Sequence, residues 1–188
     1  GDNMPFDLNV ATSQLYNEDT ELSLMLLAES GYGQGELLTT PLQMAVMFSA
    51  FANGGNIMQP YIVESLCQTK GITYDTVSTT MPKPWKSGVI DQSSLDIVVP
   101  YLQDVVDNSL NGTGRSLKVN SVQIAAKTGT AEIGNDKSRE ISWFAGFRCG
   151  VESADARLVL VMLEVPTEEE FQSLKFDIAR ELLKMSAP

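Results

Sequence analysis

The last third of the chain most constrains the fold. Residues 119–126, 141–149 and 157–165 are three apolar runs of strand length with short, turn-prone connections. Runs joined this way pair as adjacent antiparallel strands, because parallel neighbours need a long crossover. An amphipathic segment over 168–185 follows. In it, Phe171, Leu174, Ile178, Leu182 and Met185 recur at helical spacing. That stripe predicts a helix laid on one face of the sheet. Glu168, Glu169 and Glu170 are expected in its first turn, where negative charge suits the helix dipole.

The preceding residues add helices and one hairpin. Residues 22–28 predict a short helix, and Gly31-Tyr32-Gly33-Gln34-Gly35 after it predicts a shaped loop with positive backbone angles. Thr39-Thr40-Pro41 has a hydroxyl cap and then proline, a helix start. The helix is expected from Leu42 to about Asn53, ending at Gly54-Gly55. It is apolar nearly all round, which predicts a place in the middle of a larger core. Residues 61–68 and 72–77 predict a hairpin around Lys70-Gly71, and 81–85 an extended, proline-rich stretch. Residues 91–108 read as another helix, with Ser93 and Asp96 resembling a capping box and Pro100 predicting a kink or break. Asn111-Gly112-Thr113-Gly114 ends it. The class is α+β, with helical residues 1–60, a hairpin and helix over 61–115, and sheet plus helix over 116–188.

Composition narrows the function. A length of 188 residues is enough for one ordinary domain, or one and a half small ones. Thirteen Lys and Arg against 24 Asp and Glu leave a net charge of −11, which argues against nucleic-acid binding. With no histidine, imidazole catalysis and His-ligated metal sites are excluded. Cys67 and Cys149 are too few for a disulfide scaffold or a structural zinc cage, and no cofactor is expected. No apolar stretch is long enough to span a membrane, and no signal peptide is expected at Gly1-Asp2-Asn3-Met4-Pro5.

One run carries chemistry: Lys127-Thr128-Gly129-Thr130-Ala131-Glu132, directly after the apolar Val122-Gln123-Ile124-Ala125-Ala126. An ammonium and two hydroxyls beside a glycine form a compact anion site, and Gly129 lets a ligand lie against the backbone. A polar strand end with a glycine bulge is the plainer alternative. Lys86-Ser87-Gly88 matches the same triplet, but it is expected in a proline-flanked loop with no strand before it and reads as chance.

Three runs in order, the Gly31–Gly35 loop leading into Thr39-Thr40-Pro41-Leu42-Gln43, the Lys127–Glu132 run, and Ser142-Trp143-Phe144-Ala145-Gly146-Phe147, resemble the transpeptidase domain of bacterial penicillin-binding proteins, closest to class B. The Asn111–Gly114 turn also fits. The resemblance covers roughly residues 5 to 185. It implies the penicillin-binding and serine β-lactamase fold, and serine acyl transfer on D-alanyl-D-alanine stem peptides of peptidoglycan, with β-lactams as inhibitors. It implies that Lys127 supplies positive charge near the serine and the substrate carboxylate. Thr128 and Thr130 would hydrogen-bond that carboxylate, and the Thr130 backbone N–H would be one oxyanion-hole donor. Gln34 would lie near the rim of the cleft. The parent would sit on the outer face of the cell membrane, held by an N-terminal helix.

The chain also departs from that family. No lysine has a serine three residues before it, so the Ser-x-x-Lys nucleophile is absent. The one Ser-x-Asn, Ser109-Leu110-Asn111, falls after the glycine loop, where the family's motif precedes it. Both signatures are expected upstream, in an N-terminal half that would be this chain's natural partner. Alone, the chain is expected to be inactive and to self-associate through surfaces that half would cover. The alternatives are a serine β-lactamase or β-lactam sensor of the same fold, and a non-catalytic binding or scaffold module.

Overall fold

A computed structural model describes the chain except residues 1–3, 18, 109, 119–121, 134–136, 153–154, 169–170, 172 and 186–188. Helix α1 spans Leu24–Ser30, capped by Ser23, whose Oγ accepts the Leu26 N–H at 3.1 Å. In the loop after it, Gly33 and Gly35 have φ of 83° and 72°, while Gly31 is right-handed at −63°. Helix α2 spans Pro41–Ala52, with Pro41 in its first turn and Thr40 Oγ1 accepting the Gln43 N–H at 3.1 Å. Only Val46, Phe48 and Ala50 of α2 are buried, and Met47 is half exposed. The expectation of a helix enclosed on all sides is therefore corrected within this chain.

Strands β1 (Ile57–Met58), β2 (Ser65–Lys70), β3 (Thr73–Thr79) and β4 (Pro84–Lys86) form two small antiparallel sheets, β1 with β4 and β2 with β3. Lys70 pairs with Thr73 across Gly71-Ile72, and Gly71 has φ of 65°, which a two-residue hairpin turn requires. Every residue of β2 and β3 is exposed, so this hairpin stands off the body. Lys86 lies in β4, which corrects the expectation of a strandless loop around the second Lys-Ser-Gly triplet.

Helix α3 spans Gln92–Asp107 without a break at Pro100. Its cap is Asp91 rather than a Ser93–Asp96 box: Asp91 Oδ1 accepts from the Ser94 N–H at 2.8 Å and from Ser93 Oγ. These bonds hold the Asp91 carboxyl down at about 2. A 3-10 turn, Arg115–Leu117, then carries Leu117, which is fully buried.

The main sheet has the order β5-β6-β7, all antiparallel, from Gln123–Ile133, Arg139–Cys149 and Leu158–Pro166. Strand β5 runs through the Lys-Thr-Gly-Thr residues instead of ending before them. Alternation divides the core. Ile124, Ala126 and Phe144 face α4 (Leu174–Lys184), with Ala179 and Leu183. Ala125, Ala145 and Phe147 face Phe48 of α2 and Leu102 of α3.

The face that α4 presents differs from expectation. Its buried residues are Lys175, Ala179 and Leu183, whereas Leu174, Leu182 and Met185 remain substantially exposed. The helix begins at Leu174, so Glu168 precedes it, and Glu169 and Glu170 lie outside the described residues. Arg148 of β6 donates to the carbonyls of Leu183 and Met185, satisfying the helix's C-terminal acceptors. Cys67 and Cys149 are both free thiols.

Candidate active site

Strand β5 is an edge: among the described residues it pairs with β6 alone. An edge strand leaves alternate N–H and C=O groups unpaired along its outer side. Lys127, Thr128, Gly129 and Thr130 sit on this edge strand opposite Ala145, Phe144, Trp143 and Ser142 respectively. Thr128 and Thr130 share the face toward α4, and Lys127 and Gly129 share the other. Lys127 is exposed, and its Nζ donates to the carbonyl oxygen of Thr128 at 2.6 Å. An ammonium has three donors, so two remain for a ligand.

Gly129 lies against Trp143. A Cβ at Gly129 would stand 3.5 Å from Trp143 Cβ, ordinary contact, so the fold itself does not require glycine there. A glycine there leaves the strand's backbone open to close approach by a ligand.

Two hydroxyls that sequence reasoning missed flank the site. Thr113 Oγ1 lies 3.0 Å from Thr128 Oγ1. Thr113 belongs to the turn already noticed as Asn111–Gly114, which carried no assigned role. The turn is folded against α3 by the Gly114 N–H, which donates to the Val105 carbonyl at 2.8 Å. Ser142, 1% exposed, sits opposite Thr130, and among the described residues its Oγ has no hydrogen-bond partner.

Gln34 stands apart from this cluster. Its backbone N–H donates to the Glu29 carbonyl at 3.0 Å, and among the described residues no hydrogen bond joins it to β5. Ser109 lies outside the described residues. Behind the strand, Glu140 and Lys175 are both buried. Burial lowers Lys175, with Lys127 adding to the effect and Glu140 opposing it. The arrangement provides one exposed cation, paired hydroxyls and strand-edge N–H groups, which suits a carboxylate and a developing oxyanion.

Comparison with known proteins identifies the family of the chain. Residues 2–184 match the penicillin binding protein transpeptidase domain. Peptidoglycan D,D-transpeptidase PbpA of Mycolicibacterium smegmatis is 36% identical over 137 residues, covering 72% of this chain and 26% of that protein. Penicillin-binding protein 3 of Bacillus subtilis is 28% identical over 150 residues, covering 78% and 20%. The crystal structure of PBPA from Mycobacterium tuberculosis superposes with a TM-score of 0.71 at 25% identity, over 94% of this chain and 40% of that one. Its penicillin G acyl-enzyme complex gives 0.62 at 27% identity, over 85% and 32%. The chain thus spans about a fifth to a quarter of the length of these curated relatives. Among the described residues no helix is long and apolar enough to cross a membrane. With the match running almost end to end and the Lys-Thr-Gly-Thr strand at the free edge of the sheet, the chain belongs to the penicillin-binding protein transpeptidase family.

Proposed function

We propose that this chain supplies the substrate-carboxylate side of a peptidoglycan D,D-transpeptidase site. The observation that carries this reading is the edge placement of Lys127–Thr130, with Lys127 exposed and Thr128 in contact with Thr113. The substrate class is a stem peptide ending in D-alanyl-D-alanine, and β-lactams occupy the same place. A serine outside these 188 residues attacks the penultimate carbonyl, the terminal D-alanine leaves with a proton, and an acceptor amine then takes the acyl group. Lys127 draws the terminal carboxylate to the strand edge, Thr128 and Thr130 donate hydroxyl bonds to it, and the Thr130 N–H receives the oxyanion. Losing such an N–H donor typically costs on the order of 10²–10³ in rate. Gln34 is assigned to the rim, the weakest of these roles.

Alone, the chain is inactive on this reading, because no Ser-x-x-Lys is present. Apolar residues exposed here, among them Leu24, Met25 and Leu27 on α1, are covered by the serine-bearing part of the domain. A complete protein of this kind works on the outer face of the cell membrane. When the 188-residue chain is alone, its bare surfaces drive self-association.

The test is intact-protein mass spectrometry after incubation with benzylpenicillin, on the chain alone and on a complex with a serine-bearing transpeptidase segment. One added penicilloyl mass, found only in the complex and only on that segment's serine, is expected. An adduct on this chain alone would overturn the assignment. No adduct from a complex shown to form would favour a non-catalytic binding module.

A further inference from the structure

We propose that Thr113 is a positioning residue for the Thr128 hydroxyl, an inference that rests on the reading of β5 as a carboxylate site. A threonine hydroxyl has one proton and two acceptor positions, so the direction of the 3.0 Å contact between Thr113 Oγ1 and Thr128 Oγ1 decides what Thr128 can offer a ligand. If Thr128 donates to Thr113, its only proton is consumed. If Thr113 donates to Thr128, the Thr128 proton is free and its oxygen is held in one place. An anion beside the ammonium of Lys127 selects the second arrangement, because a charge-assisted hydrogen bond is about twice as strong as a neutral one.

Strand geometry makes this alignment matter. Thr128 and Thr130 lie two residues apart on one face, about 6.6 Å along the strand. A carboxylate lying along the edge spans that gap only if each oxygen accepts from one hydroxyl. A Thr128 side chain free to rotate would leave one oxygen without its donor. The turn that carries Thr113 is held by backbone: the Gly112 N–H donates to the Asn108 carbonyl and the Gly114 N–H to the Val105 carbonyl. Gly112, just before Thr113, has no room for a Cβ, which would stand 2.6 Å from the carbonyl oxygens of both Val105 and Asn108. The turn therefore presses against the end of α3, and Thr113 is presented to Thr128 from a fixed support. Among the described residues Thr130 has no equivalent: Ser142 opposite it is buried and its Oγ has no hydrogen-bond partner there.

The experiment is an NMR titration of the 188-residue chain with N-acetyl-D-alanyl-D-alanine, read at the Thr128 and Thr130 amides. It is repeated with the methyl ester of the same dipeptide. Three-bond couplings from the Thr128 methyl carbon report its side-chain rotamer in the same samples. Thr113→Val is expected to weaken the free acid roughly tenfold, to leave the methyl ester unchanged, and to average the Thr128 rotamer. Thr113→Ser, which keeps the hydroxyl, is expected to restore both. The inference is overturned if Thr113→Val binds the free acid as the wild type does, or if free acid and ester weaken equally. A Thr113→Val chain that loses its fold passes the decision to Thr113→Ser against Thr113→Ala, where equal affinities overturn it. A wild-type chain that binds no carboxylate, either alone or in complex with the serine-bearing segment, defeats the anion-site reading itself and this inference with it. That outcome is distinct from normal wild-type binding with an indifferent Thr113.

Discussion

Gly129 stands directly across from Trp143 in the β5–β6 register, and a methyl group built on it would touch Trp143 Cβ at 3.5 Å without overlap. Gly129→Ala is therefore expected to fold with a stability change below about 1 kcal/mol, since glycine in a strand already carries an entropic disadvantage. In a complex with the serine-bearing segment, the same substitution is expected to slow acylation by benzylpenicillin at least tenfold, because the methyl occupies the space of the approaching ligand. Thermal melts and acylation rates on one preparation separate the two effects. A stable Gly129→Ala protein acylated at the normal rate would remove the ligand from the explanation of this glycine.

Gly55 provides the opposite case. A Cβ there would fall 1.9 Å from the Ile90 carbonyl oxygen, and φ is 79°. The close approach is backbone on backbone, since the Val89 N–H donates to the Gly55 carbonyl at 2.8 Å. Gly55→Ala is expected to destabilise the chain by more than about 3 kcal/mol, through steric displacement added to the strain of a left-handed backbone. Urea denaturation checks it, and a loss under about 1 kcal/mol would mean that the loop between α2 and β1 has an alternative path.

How far these features could be read from sequence depends on what sets them. Element type was legible wherever a local rule fixes it: Thr40-Pro41 starts α2, Gly71 turns the β2–β3 hairpin, and the apolar runs form β5, β6 and β7. The facing of α4 was not legible. Spacing alone selects Leu174, Ile178 and Leu182; Ile178 does pack against the core, but beside it the sheet accepts the small Ala179 and the stem of Lys175 in place of the two leucines. A lysine stem covers apolar area as well as a leucine does, and a hydrophobic pattern gives it no credit. The β1–β4 pair was missed because Ile57–Met58 is too short to show any period. At the site, the Lys127–Thr130 run was visible as a motif. Thr113 was not, because its contact with Thr128 depends on how the turn folds back on α3.

Lys175 is where the sequence pattern and the physics diverge most, and it gives a pH prediction. Burial lowers its pKa below the ordinary 10.5, so the folded chain releases this proton before the unfolded chain does. Between the lowered value and 10.5 the unfolded state binds more protons, and stability therefore rises with pH across that window. Below the window the cost of the buried charge is present in full. Among the described residues no ion pair joins Lys175 to Glu140. Lys175→Met is accordingly expected to be neutral or to stabilise the chain by about 1 kcal/mol at pH 7, and to flatten the rise above it. Denaturation series from pH 7 to about 10.5 measure this. A variant less stable at pH 7 would show that Glu140 depends on the lysine.

Pro100 gives a further test, because α3 continues through a residue that removes one helical hydrogen bond. The Asp96 carbonyl, four residues earlier, lacks its ordinary partner, and Pro100 is exposed. Pro100→Ala restores that donor and relieves the ring's clash with the preceding turn. Against this, alanine gives the unfolded chain more freedom, an offset of up to about 1 kcal/mol. The helix-interior cost of proline is about 3 kcal/mol, so the balance favours the variant by roughly 2–3 kcal/mol. Thermal melts with Pro100→Ala and Pro100→Gly are the check. Alanine should raise the melting temperature clearly, and glycine by less, since glycine restores the donor but adds backbone freedom. If alanine lowers it, Pro100 is held by packing with Phe51 and Leu95 around the adjoining cavity, and the missing hydrogen bond is the smaller effect.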